Sequence, residues 1–446
     1  MNNSIQINNF VDFYKNTISK YGQLSAFQID AQMVTYDKLN IDVMKLIASF
    51  KDGERKYIQI CTENSYYFAI AYFAVILSNN IAVLCDDDKK ISDNNIKIDI
   101  KLTDEIIDKK LQVQYLKKVL YKEDLKNDCV CTIIFSSGTT GKSKAILLSA
   151  ENILETVIAC ANKVTYFSTD RCINVIPLIH IFGLIGDFLT TFHVGACMCV
   201  MSSKYEFYDA IKKYKPTFLN LPPILIESLF YELDKFKEKK ICIRRIMCGG
   251  ADISEKIIDK YKKYNIKVLR CYGLTESPCI SLCSDYEKEN KGVGKVLDCN
   301  KILLDELGQI FVSGKSVMLG YFNQKESPFV NINNQLFLKT NDVGTLDENN
   351  NLILLGRADN SISLKNGEKC TKECIEEKIN NISGIKESII YVKSGKIIAN
   401  VVVYDSNNDI EKKIKEMTFG GSKIYSVNYV KNIKRNVLGK VIRNEQ

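Results

Sequence analysis

The stretch that decides the fold covers residues 133–145 and reads Ile-Ile-Phe-Ser-Ser-Gly-Thr-Thr-Gly-Lys-Ser-Lys-Ala. Its apolar start is typical of a buried strand, and a loop of glycines, hydroxyls and lysines follows. Glycine lets the backbone approach a ligand closely, while hydroxyl, backbone N–H and ammonium groups neutralise phosphate oxygens. The stretch therefore predicts a loop that binds the phosphates of a nucleoside triphosphate.

Two phosphate-binding patterns compete for this loop. A Walker A loop requires Gly-x-x-x-x-Gly-Lys-[Ser/Thr]; Gly141, Lys142 and Ser143 supply its second half, but Ser136 stands where the first glycine belongs. The spacing therefore disfavours a P-loop NTPase. The other pattern, Ser-Ser-Gly-Thr-Thr-Gly-x-x-Lys, spans residues 136–144 and depends on motifs further along the chain.

The composition predicts a cytoplasmic globular protein. A net charge of +8 is spread among acidic residues without a long basic block, so no nucleic-acid partner is expected. The sixteen cysteines include no Cys-x-x-Cys pair and only two histidines accompany them, which favours free thiols in a reducing compartment. The N-terminus shows no secretory signal, and the most apolar run, residues 66–77, is shorter than the roughly 20 residues of a membrane span. No integral membrane segment is predicted.

Strand and helix patterns alternate from about residue 57 onwards, which predicts parallel sheets flanked by helices. A strand is expected at residues 173–176, and Ser149 is expected to cap a helix at 149–164 without Asn152 completing a capping box. The stretch at 86–128 is polar and carries little pattern. Glycine-punctuated strands are predicted from 292 to 355, then a polar joint and a βαβ-like unit.

A second motif, Tyr-Gly-Leu-Thr-Glu at residues 272–276, gives the loop a context. With it the chain resembles the adenylate-forming ligases, the superfamily of acyl-CoA synthetases, aryl-acid ligases and peptide-synthetase adenylation domains. At least five motifs follow the family's order over residues 57–443. The resemblance implies an α/β fold: a large N-terminal domain at 1–356 with a β-rich subdomain at 292–355, a hinge at 357–359, and a small, mobile α+β C-terminal domain at 360–446.

The resemblance also implies a role for each residue that matches a motif. The β and γ phosphates of ATP are assigned to Ser136, Ser137, Gly138, Thr139, Thr140, Gly141 and Lys144. Adenine and ribose are assigned to Gly250, Ala251, Tyr272, Gly273, Asp342 and Arg357, and Mg²⁺ to Glu276. The catalytic residues are Lys440, Thr275 and His180; the acyl pocket is assigned to His180, Phe182, Gly183, Cys271 and Leu274. Asp359 is the hinge, and Gly367 lines the pantetheine tunnel.

The implied reaction joins a carboxylic acid to ATP, giving acyl-AMP and pyrophosphate, and then transfers the acyl group to a pantetheine thiol. CoA is the expected acceptor; an acyl carrier protein is the alternative, because both present phosphopantetheine. His180 stands where amino-acid-activating relatives have an aspartate that pairs with the substrate ammonium, so a fatty, short-chain or aryl acid is favoured over an amino acid.

The chain departs from the family pattern in three places. Ser143 and Ala145 stand where the phosphate loop usually has proline and glycine. Residues 434–436 read Lys-Arg-Asn instead of the usual Pro-[Arg/Lys]-Thr lead-in to Lys440, and Asn366-Gly367 replaces paired glycines. Ser143 and Ala145 leave a catalytically silent relative as a further alternative, and the other departures make the acceptor less firmly implied than the adenylation step.

Overall fold

The computed structural model describes residues 7, 9–50, 53–113, 127–136, 143–201, 203, 206–233, 241–286, 291–324, 327–366, 368–393, 395–404, 408–435 and 441–443. Several predicted site residues lie outside these ranges: Ser137, Gly138, Thr139, Thr140, Gly141, Gly367 and Lys440.

The helices begin where the sequence supplies polar caps. Asn9, Thr35 and Asn64 each accept a hydrogen bond from a backbone N–H of the first turn, which satisfies a donor that has no partner within the helix. The helices are α1 (Phe10–Tyr21), α2 (Tyr36–Ala48), α3 (Ser65–Leu77), α4 (Asp88–Asp93), α5 (Asp104–Leu111), α6 (Ala150–Lys163), α7 (Thr190–His193), α8 (Phe207–Tyr214), α9 (Pro223–Leu233), α10 (Glu255–Lys262), α11 (Lys372–Asn380) and α12 (Asn408–Glu416). A π-helix, Gly183–Leu189, leads directly into α7, and a 3-10 turn covers Ala358–Asn360.

The strands are β1 (Ser25–Ile29), β2 (Gln32–Thr35), β3 (Tyr57–Ile60), β4 (Ile81–Leu84), β5 (Ile100–Leu102), β6 (Val130–Phe135), β7 (Ala145–Ser149), β8 (Arg171–Ile173), β9 (Cys197–Val200), β10 (Phe218–Leu221), β11 (Arg245–Cys248), β12 (Lys267–Leu274), β13 (Ser277–Leu282), β14 (Lys295–Val296), β15 (Asn300–Leu304), β16 (Gln309–Gly314), β17 (Gly320–Tyr321), β18 (Phe329–Ile332), β19 (Gln335–Leu346), β20 (Leu352–Arg357), β21 (Ser361–Ser363), β22 (Lys369–Thr371), β23 (Ile385–Lys393), β24 (Lys396–Val403), β25 (Thr418–Phe419) and β26 (Ser422–Tyr429).

Two large sheets form the N-terminal part, as predicted. The first has the order β14-β13-β12-β11-β10-β8-β9-β1-β2 and is parallel from β12 to β1; the second has the order β17-β7-β6-β4-β3-β5 and is parallel from β6 to β5. Parallel strands are covered on both faces, which explains their continuous apolar runs. The antiparallel strands lie at the edges.

Helix α3 shows how the two sheets share one core. Every residue of this helix except Tyr67 is buried, because it packs on β3 and β4 of the second sheet and on the π-helix beside the first. The Phe68 ring lies 5.9 Å from the ring of Phe188, and the hydroxyls of Tyr72 and Thr132 are hydrogen-bonded at 3.0 Å. The run that is too short for a membrane span is therefore an interior helix. None of the described helices combines the length and apolarity needed to cross a membrane.

The predicted β-rich region forms a separate sheet with the order β15-β16-β19-β18, and β20 pairs with β19. After the 3-10 turn, β21 pairs with β22, and the chain ends in a four-stranded sheet of order β23-β24-β26-β25, with α11 packed on β23 and α12 on β26. The predicted fold class is confirmed. The domain boundaries at residues 356 and 360 stay predictions.

Two local expectations were wrong. Asn152 does complete a capping box: its Oδ1 accepts from the Ser149 N–H at 2.9 Å while its own N–H donates to Ser149 Oγ at 3.1 Å. Its Nδ2 also donates to the carbonyls of Lys315 and Val317, both at 2.8 Å, and these distant acceptors orient the amide. Strand β8 ends at Ile173 instead of 176, because the Asn174 amide bonds to the Ile176 carbonyl at 2.7 Å and turns the chain out of the sheet.

Candidate active site

Predicted adenine and acyl residues lie at the carboxyl ends of two neighbouring strands of the first sheet. Strands β11 and β12 are parallel, with Cys248 opposite Arg270, so residues 249–251 leave the sheet beside residues 271–274, which stay in β12 and pair with β13. The carboxyl ends of parallel strands are where α/β proteins bind ligands. Residues that are separate in the chain are therefore close together in space.

Asp342 joins two other predicted nucleotide-binding residues, Tyr272 and Arg357. Its Oδ2 accepts a hydrogen bond from the Tyr272 hydroxyl at 2.7 Å, and its Oδ1 accepts from Arg357 Nη1 at 3.1 Å. Asp342 and Arg357 lie directly opposite each other on β19 and β20, which accounts for their pairing. The buried carboxylate thus presents two oxygens to donors, the chemistry that also suits a pair of ribose hydroxyls.

The charges around Asp342 shift the pKa values of its partners. Burial raises the pKa of the Tyr272 hydroxyl well above its usual value, and the Asp342 carboxylate adds to this effect. Burial alone would lower the pKa of the Arg357 guanidinium, but the carboxylates of Asp342 and Asp359 outweigh it and raise that pKa. Tyr272 and Arg357 therefore both remain hydrogen-bond donors at neutral pH.

Arg357 also contacts the predicted hinge residue. Its Nε lies 3.4 Å from Oδ1 of Asp359, which is in the 3-10 turn between β20 and β21. One guanidinium therefore lies between the buried carboxylate of Asp342 and the exposed carboxylate of Asp359.

Tyr321 brings Glu276 and Lys144 to one place. Its hydroxyl donates to Glu276 Oε1 at 2.9 Å, and Lys144 Nζ lies 4.6 Å from the centre of its ring. Strand β17 carries Tyr321 and pairs with β7, which follows the predicted phosphate loop. Burial raises the pKa of Tyr321, and Glu276 raises it further. The sequence interpretation missed Tyr321; its position after Gly320 marked only a turn.

Ser136 and Lys144 close the base of the predicted phosphate loop. The Ser136 N–H donates to the Lys144 carbonyl at 3.0 Å, and the Lys144 N–H donates to Ser136 Oγ at 3.2 Å. Asn94 holds the exit: its Nδ2 donates to the Ser143 carbonyl at 3.1 Å, and its Oδ1 accepts from the Ala145 N–H at 3.3 Å. Asn94 thus braces the two positions where the loop departs from the family pattern. It lies in the polar stretch at 86–128 that the sequence left uninterpreted.

The turn between β12 and β13 requires its glycine. A Cβ at Gly273 would lie 2.3 Å from the Pro278 carbonyl oxygen, so the hairpin cannot take a larger residue there without moving backbone. Thr275 and Glu276 follow and are half-buried, and the Glu276 carbonyl accepts from the Met318 N–H at 2.8 Å. The turn is therefore anchored while the Glu276 carboxylate faces Tyr321.

Phe182 and Cys271 meet at Gly249. A Cβ on Gly249 would lie 2.9 Å from Cys271 Sγ and 3.0 Å from Cζ of Phe182, so both side chains pack directly on this glycine and leave no room for a larger residue. Gly250 follows with a φ of +85°, a conformation that favours glycine, and Ala251 is half-buried. Leu274 packs on the main core.

The turn before the π-helix carries the remaining pocket residues. The His180 N–H donates to the Pro177 carbonyl at 2.9 Å, which closes the turn. The side chain of His180 is half-buried. A Cβ at Gly183 would lie 2.6 Å from the Pro177 oxygen, so glycine is needed for the helix to approach the turn. The structure brings Phe182, Cys271 and Gly249 together, and it places His180 and Gly183 on the adjoining turn and helix.

Comparisons with known proteins identify a matching family and several relatives. Residues 88–322, more than half of the chain, match the family model described as AMP-binding enzyme. The peroxisomal OPC-8:0-CoA ligase 1 of Arabidopsis thaliana is 28% identical over 388 residues, which cover 78% of this chain and 70% of that protein. The 4-coumarate–CoA ligase-like 2 of Arabidopsis thaliana is 25% identical, and the match covers 73% of this chain but only 62% of that protein, less than two thirds of its length.

Solved structures share the fold over almost the whole chain. O-succinylbenzoate coenzyme A synthetase from Bacillus subtilis, in complex with AMP, has a TM-score of 0.80 at 20% identity and covers 97% of both chains. Klebsiella oxytoca NpsA, in complex with 3-hydroxyanthranilyl-AMSN, has a TM-score of 0.83 at 15% identity and covers 98% of both chains. At these identities the likeness shows the fold.

Proposed function

The chain belongs to the AMP-binding enzyme family, and from this membership we propose that it is an AMP-forming ligase that joins a carboxylic acid to CoA. The observation that carries the proposal is the Asp342 carboxylate, held by the Tyr272 hydroxyl and by Arg357 at the edge of the first sheet. Relatives named as CoA ligases support CoA as the acceptor.

The proposed reaction has two steps. In the first, a carboxylate oxygen of the acid attacks the α-phosphorus of ATP, the bond to the β-phosphate oxygen breaks, and acyl-AMP and pyrophosphate form. In the second, the thiol sulfur of CoA attacks the acyl carbonyl, AMP leaves, and the thiol proton is lost to solvent. Because one anion attacks another in the first step, fixed positive groups aimed at the phosphates supply most of the catalysis.

The nucleotide end of the site is assigned to Asp342, Tyr272 and Arg357. The Asp342 carboxylate would accept hydrogen bonds from the ribose hydroxyls, and the buried Tyr272 ring would pack against adenine beside Gly250 and Ala251. Arg357 remains charged and would donate to ribose or phosphate oxygens.

Glu276 and Lys144 are assigned to the phosphate end. The Glu276 carboxylate is a hard oxygen ligand of the kind that Mg²⁺ prefers, and its half-buried position beside Tyr321 leaves it accessible. When bound, Mg²⁺ would neutralise phosphate charge. No group of three or more His, Cys, Asp or Glu side chains among the described residues could hold a metal alone, so phosphate oxygens would complete the coordination.

A Glu276→Gln variant is expected to need about 10-fold more Mg²⁺ for half-maximal pyrophosphate release, because a neutral amide replaces a charged ligand. Titrating MgCl₂ at a fixed, saturating concentration of ATP measures this requirement. Glu306→Gln, an exchange of an exposed glutamate in the turn between β15 and β16, is the matched control and should keep the wild-type requirement. An unchanged requirement in Glu276→Gln would remove Glu276 from the metal site.

The acyl end is assigned to the surface formed by Phe182, Cys271 and Gly249, which pack against one another. These side chains are uncharged, which suits a fatty, short-chain or aryl tail and disfavours the ammonium of an amino acid. His180 lies on the preceding turn, two residues before Phe182.

A Gly249→Ala variant is expected to lose about 10-fold in kcat/KM with the bulkiest acids that the wild type accepts, and little with the smallest. The added methyl group would displace Cys271 Sγ and Phe182, which pack on the glycine, and one methylene in an apolar pocket changes discrimination by about 10-fold or more. The KM for ATP serves as the internal control and should not change. Equal losses for small and bulky acids would show that the pocket lies elsewhere.

Pyrophosphate release tests the function directly. The purified chain, ATP and Mg²⁺ are incubated with panels of fatty, short-chain, aryl and amino acids, with and without CoA, and acyl-AMP and acyl-CoA are identified by mass spectrometry. Release with one of the first three classes supports the proposal, and activity confined to amino acids would overturn the assignment of the acyl pocket. ATP binding without AMP or pyrophosphate for any acid would indicate a catalytically silent relative.

We also propose a cytoplasmic location. The sixteen cysteines, all within the described residues, form no disulfide, which suits a reducing compartment.

A further inference from the structure

Asp187 is an acidic residue in the interior whose role the proposed reaction does not explain. It lies in the π-helix and is 0% exposed. The partners of its carboxylate are neutral: Asn220 Nδ2 donates to Oδ1 at 2.7 Å, Asn174 Nδ2 donates to Oδ2 at 3.0 Å, and the Cys172 thiol lies 3.7 Å from Oδ1. A carboxylate in the interior is costly unless its surroundings compensate it. A buried carboxylate that has only neutral partners therefore needs a functional or structural explanation.

The π-helix joins Asp187 to the acyl pocket. It begins at Gly183, directly after Phe182, and π-helical turns occur frequently at functional sites. A Cβ at Gly186 would lie 3.3 Å from Asn220 Nδ2, so strand β10 approaches the helix closely at this point. The π-helix is thus held against β10 directly beside Asp187, which accepts a hydrogen bond from Asn220.

Asn174 connects Asp187 to the turn that carries His180. Its Nδ2 donates both to Asp187 and to the Ile176 carbonyl, and its Oδ1 accepts from the Ser65 hydroxyl at 2.8 Å. These bonds end strand β8 and direct residues 174–177 towards the pocket. The next carbonyl, that of Pro177, accepts from the His180 N–H. A chain of contacts therefore runs from Asp187 through Asn174 to His180.

We propose that Asp187 is a positioning residue for acid activation: it holds the turn at residues 174–180, and through it His180 and Phe182, in the geometry that binds the acyl group. The inference rests on the proposed function and assigns this residue to the acid and not to the nucleotide.

The proposal includes a dependence on pH. Burial raises the pKa of Asp187 to about 7, although the bonds from Asn220, Asn174, Cys172 and the Ile176 backbone counteract part of this effect. The ionised carboxylate only accepts, so it matches these four donors, whereas a protonated oxygen would itself need an acceptor. The turn is therefore best held when Asp187 is ionised, and kcat/KM for the acid rises as the pH increases through about 7.

Three other titratable groups near the π-helix do not titrate in this range. Burial raises the pKa of Cys172 and of Tyr72 well above their usual values, and it lowers the pKa of His193 to about 4. The buried face of α6 against the π-helix carries only uncharged side chains and the Cys160 thiol, and β10 contributes the neutral Asn220. His180 lies on the adjoining turn and is itself titratable, so an inflection near neutral pH is assigned to Asp187 only when Asp187→Asn, which keeps His180, removes it.

Ionisation opposes stability while it organises the turn. The pKa of Asp187 in the folded protein lies above its ordinary value of 3.8, so its contribution to stability is complete below pH 3.8 and is lost as the pH rises to about 7. The Asp187→Asn variant cannot ionise at this position, so it does not lose this contribution to the free energy of unfolding as the pH rises. Between pH 5 and pH 8 its melting temperature should therefore fall less than that of the wild type.

Steady-state kinetics from pH 5.5 to pH 9 on the full chain test the proposal. At pH 8, Asp187→Asn should raise the KM for the acid about 10-fold, flatten the pH profile of kcat/KM for the acid, and leave the KM for ATP within about two-fold, because misplacing a binding group affects only the ligand that it contacts. Asn174→Ala, which keeps the carboxylate but cuts its link to the turn, should have the same effects on the acid.

Asp42→Asn is the matched control. Asp42 is also a buried aspartate, but it lies on α2 and accepts from the Tyr66 hydroxyl at 2.6 Å. This variant should keep the KM for the acid and the inflection near pH 7, whatever it does to the melting temperature. Loss of the inflection in this control would overturn the assignment to Asp187.

The outcomes separate this inference from the proposed function. If the wild type releases no pyrophosphate with any acid, the proposed function fails. If the wild type is active and a folded Asp187→Asn protein keeps the acid KM and the pH inflection, the inference alone fails. Should Asp187→Asn not fold, Asn174→Ala decides: an unchanged acid KM in that variant overturns the inference.

Discussion

A Lys440→Ala variant is expected to lose about 10²- to 10³-fold in acid-dependent pyrophosphate release, while its thiolysis of supplied acyl-AMP stays within a few-fold of the wild type. The first step brings two anions together, and a positive group aimed at the developing charge contributes about this much to such reactions. The second step starts from the mixed anhydride, in which that charge problem is already solved. We therefore propose that Lys440 serves only the first step.

The structure describes the anchors on either side of Lys440, which itself lies outside the described residues. Arg443 makes two parallel hydrogen bonds to Glu376, Nη1 to Oε1 at 2.7 Å and Nη2 to Oε2 at 2.6 Å, and Arg435 pairs with Glu387. The two flanks also meet through the backbone, because the Ile442 N–H donates to the Lys434 carbonyl at 2.9 Å. Both flanks of residues 436–440 are thus held together on β23 and α11.

The two half-reactions are measured separately, by exchange of labelled pyrophosphate into ATP and by AMP release from synthetic acyl-AMP and CoA. Lys431→Ala removes an exposed lysine nearby and should leave both rates unchanged. Equal losses in both half-reactions of Lys440→Ala would contradict the proposed division of roles.

An Asp342→Asn variant is expected to raise the KM for ATP about 100-fold and to change the KM for the acid little. The amide keeps one oxygen but turns an N–H₂ group towards a donor, either the Tyr272 hydroxyl or Arg357 Nη1. Each hydrogen bond to a charged group contributes about 1.5–3 kcal/mol. The amide loses one such bond and places its N–H₂ group against a donor, which together account for a rise of about two orders of magnitude in the KM for ATP.

Competition by AMP provides a second measurement, because AMP contains the ribose but not the phosphates that Lys144 would bind. Its inhibition constant should rise as much as the KM for ATP. Asp298→Asn, the same exchange at an exposed aspartate, is the control and should change neither constant. A rise in the KM for the acid without a rise in the KM for ATP would contradict the assignment of Asp342 to the ribose site.

Some of the site was predictable because its chemistry lies in short motifs. Gly273 and Glu276 belong to one turn, and Gly250 has the positive φ that glycine favours, so their types and spacing reveal them without any knowledge of packing. The interior helix α3 was equally predictable, since a continuous apolar run with polar residues at both ends specifies a buried element of that length.

Other parts of the site depend on residues that are far apart in the chain. Tyr321 joins Lys144 to Glu276 because β17 pairs with β7, and Asn94 braces the phosphate loop across a helix end. Neither residue stands in a motif of its own. The same holds for the cap at Asn152, whose amide is oriented by carbonyls more than 160 residues later.

The sequence by itself determined the kinds of elements, their order and the chemical types placed at the sheet edge, because these follow from local periodicity and from motifs a few residues long. Only the tertiary structure decided which groups meet: Tyr272 with Asp342, Phe182 with Cys271, and Asp187 with Asn174 and Asn220. The physical reason is that such contacts depend on strand register and on close packing between elements. The loop at residues 133–145 therefore predicted the family only together with the motif at residues 272–276, and the packing between elements indicates which residues to test.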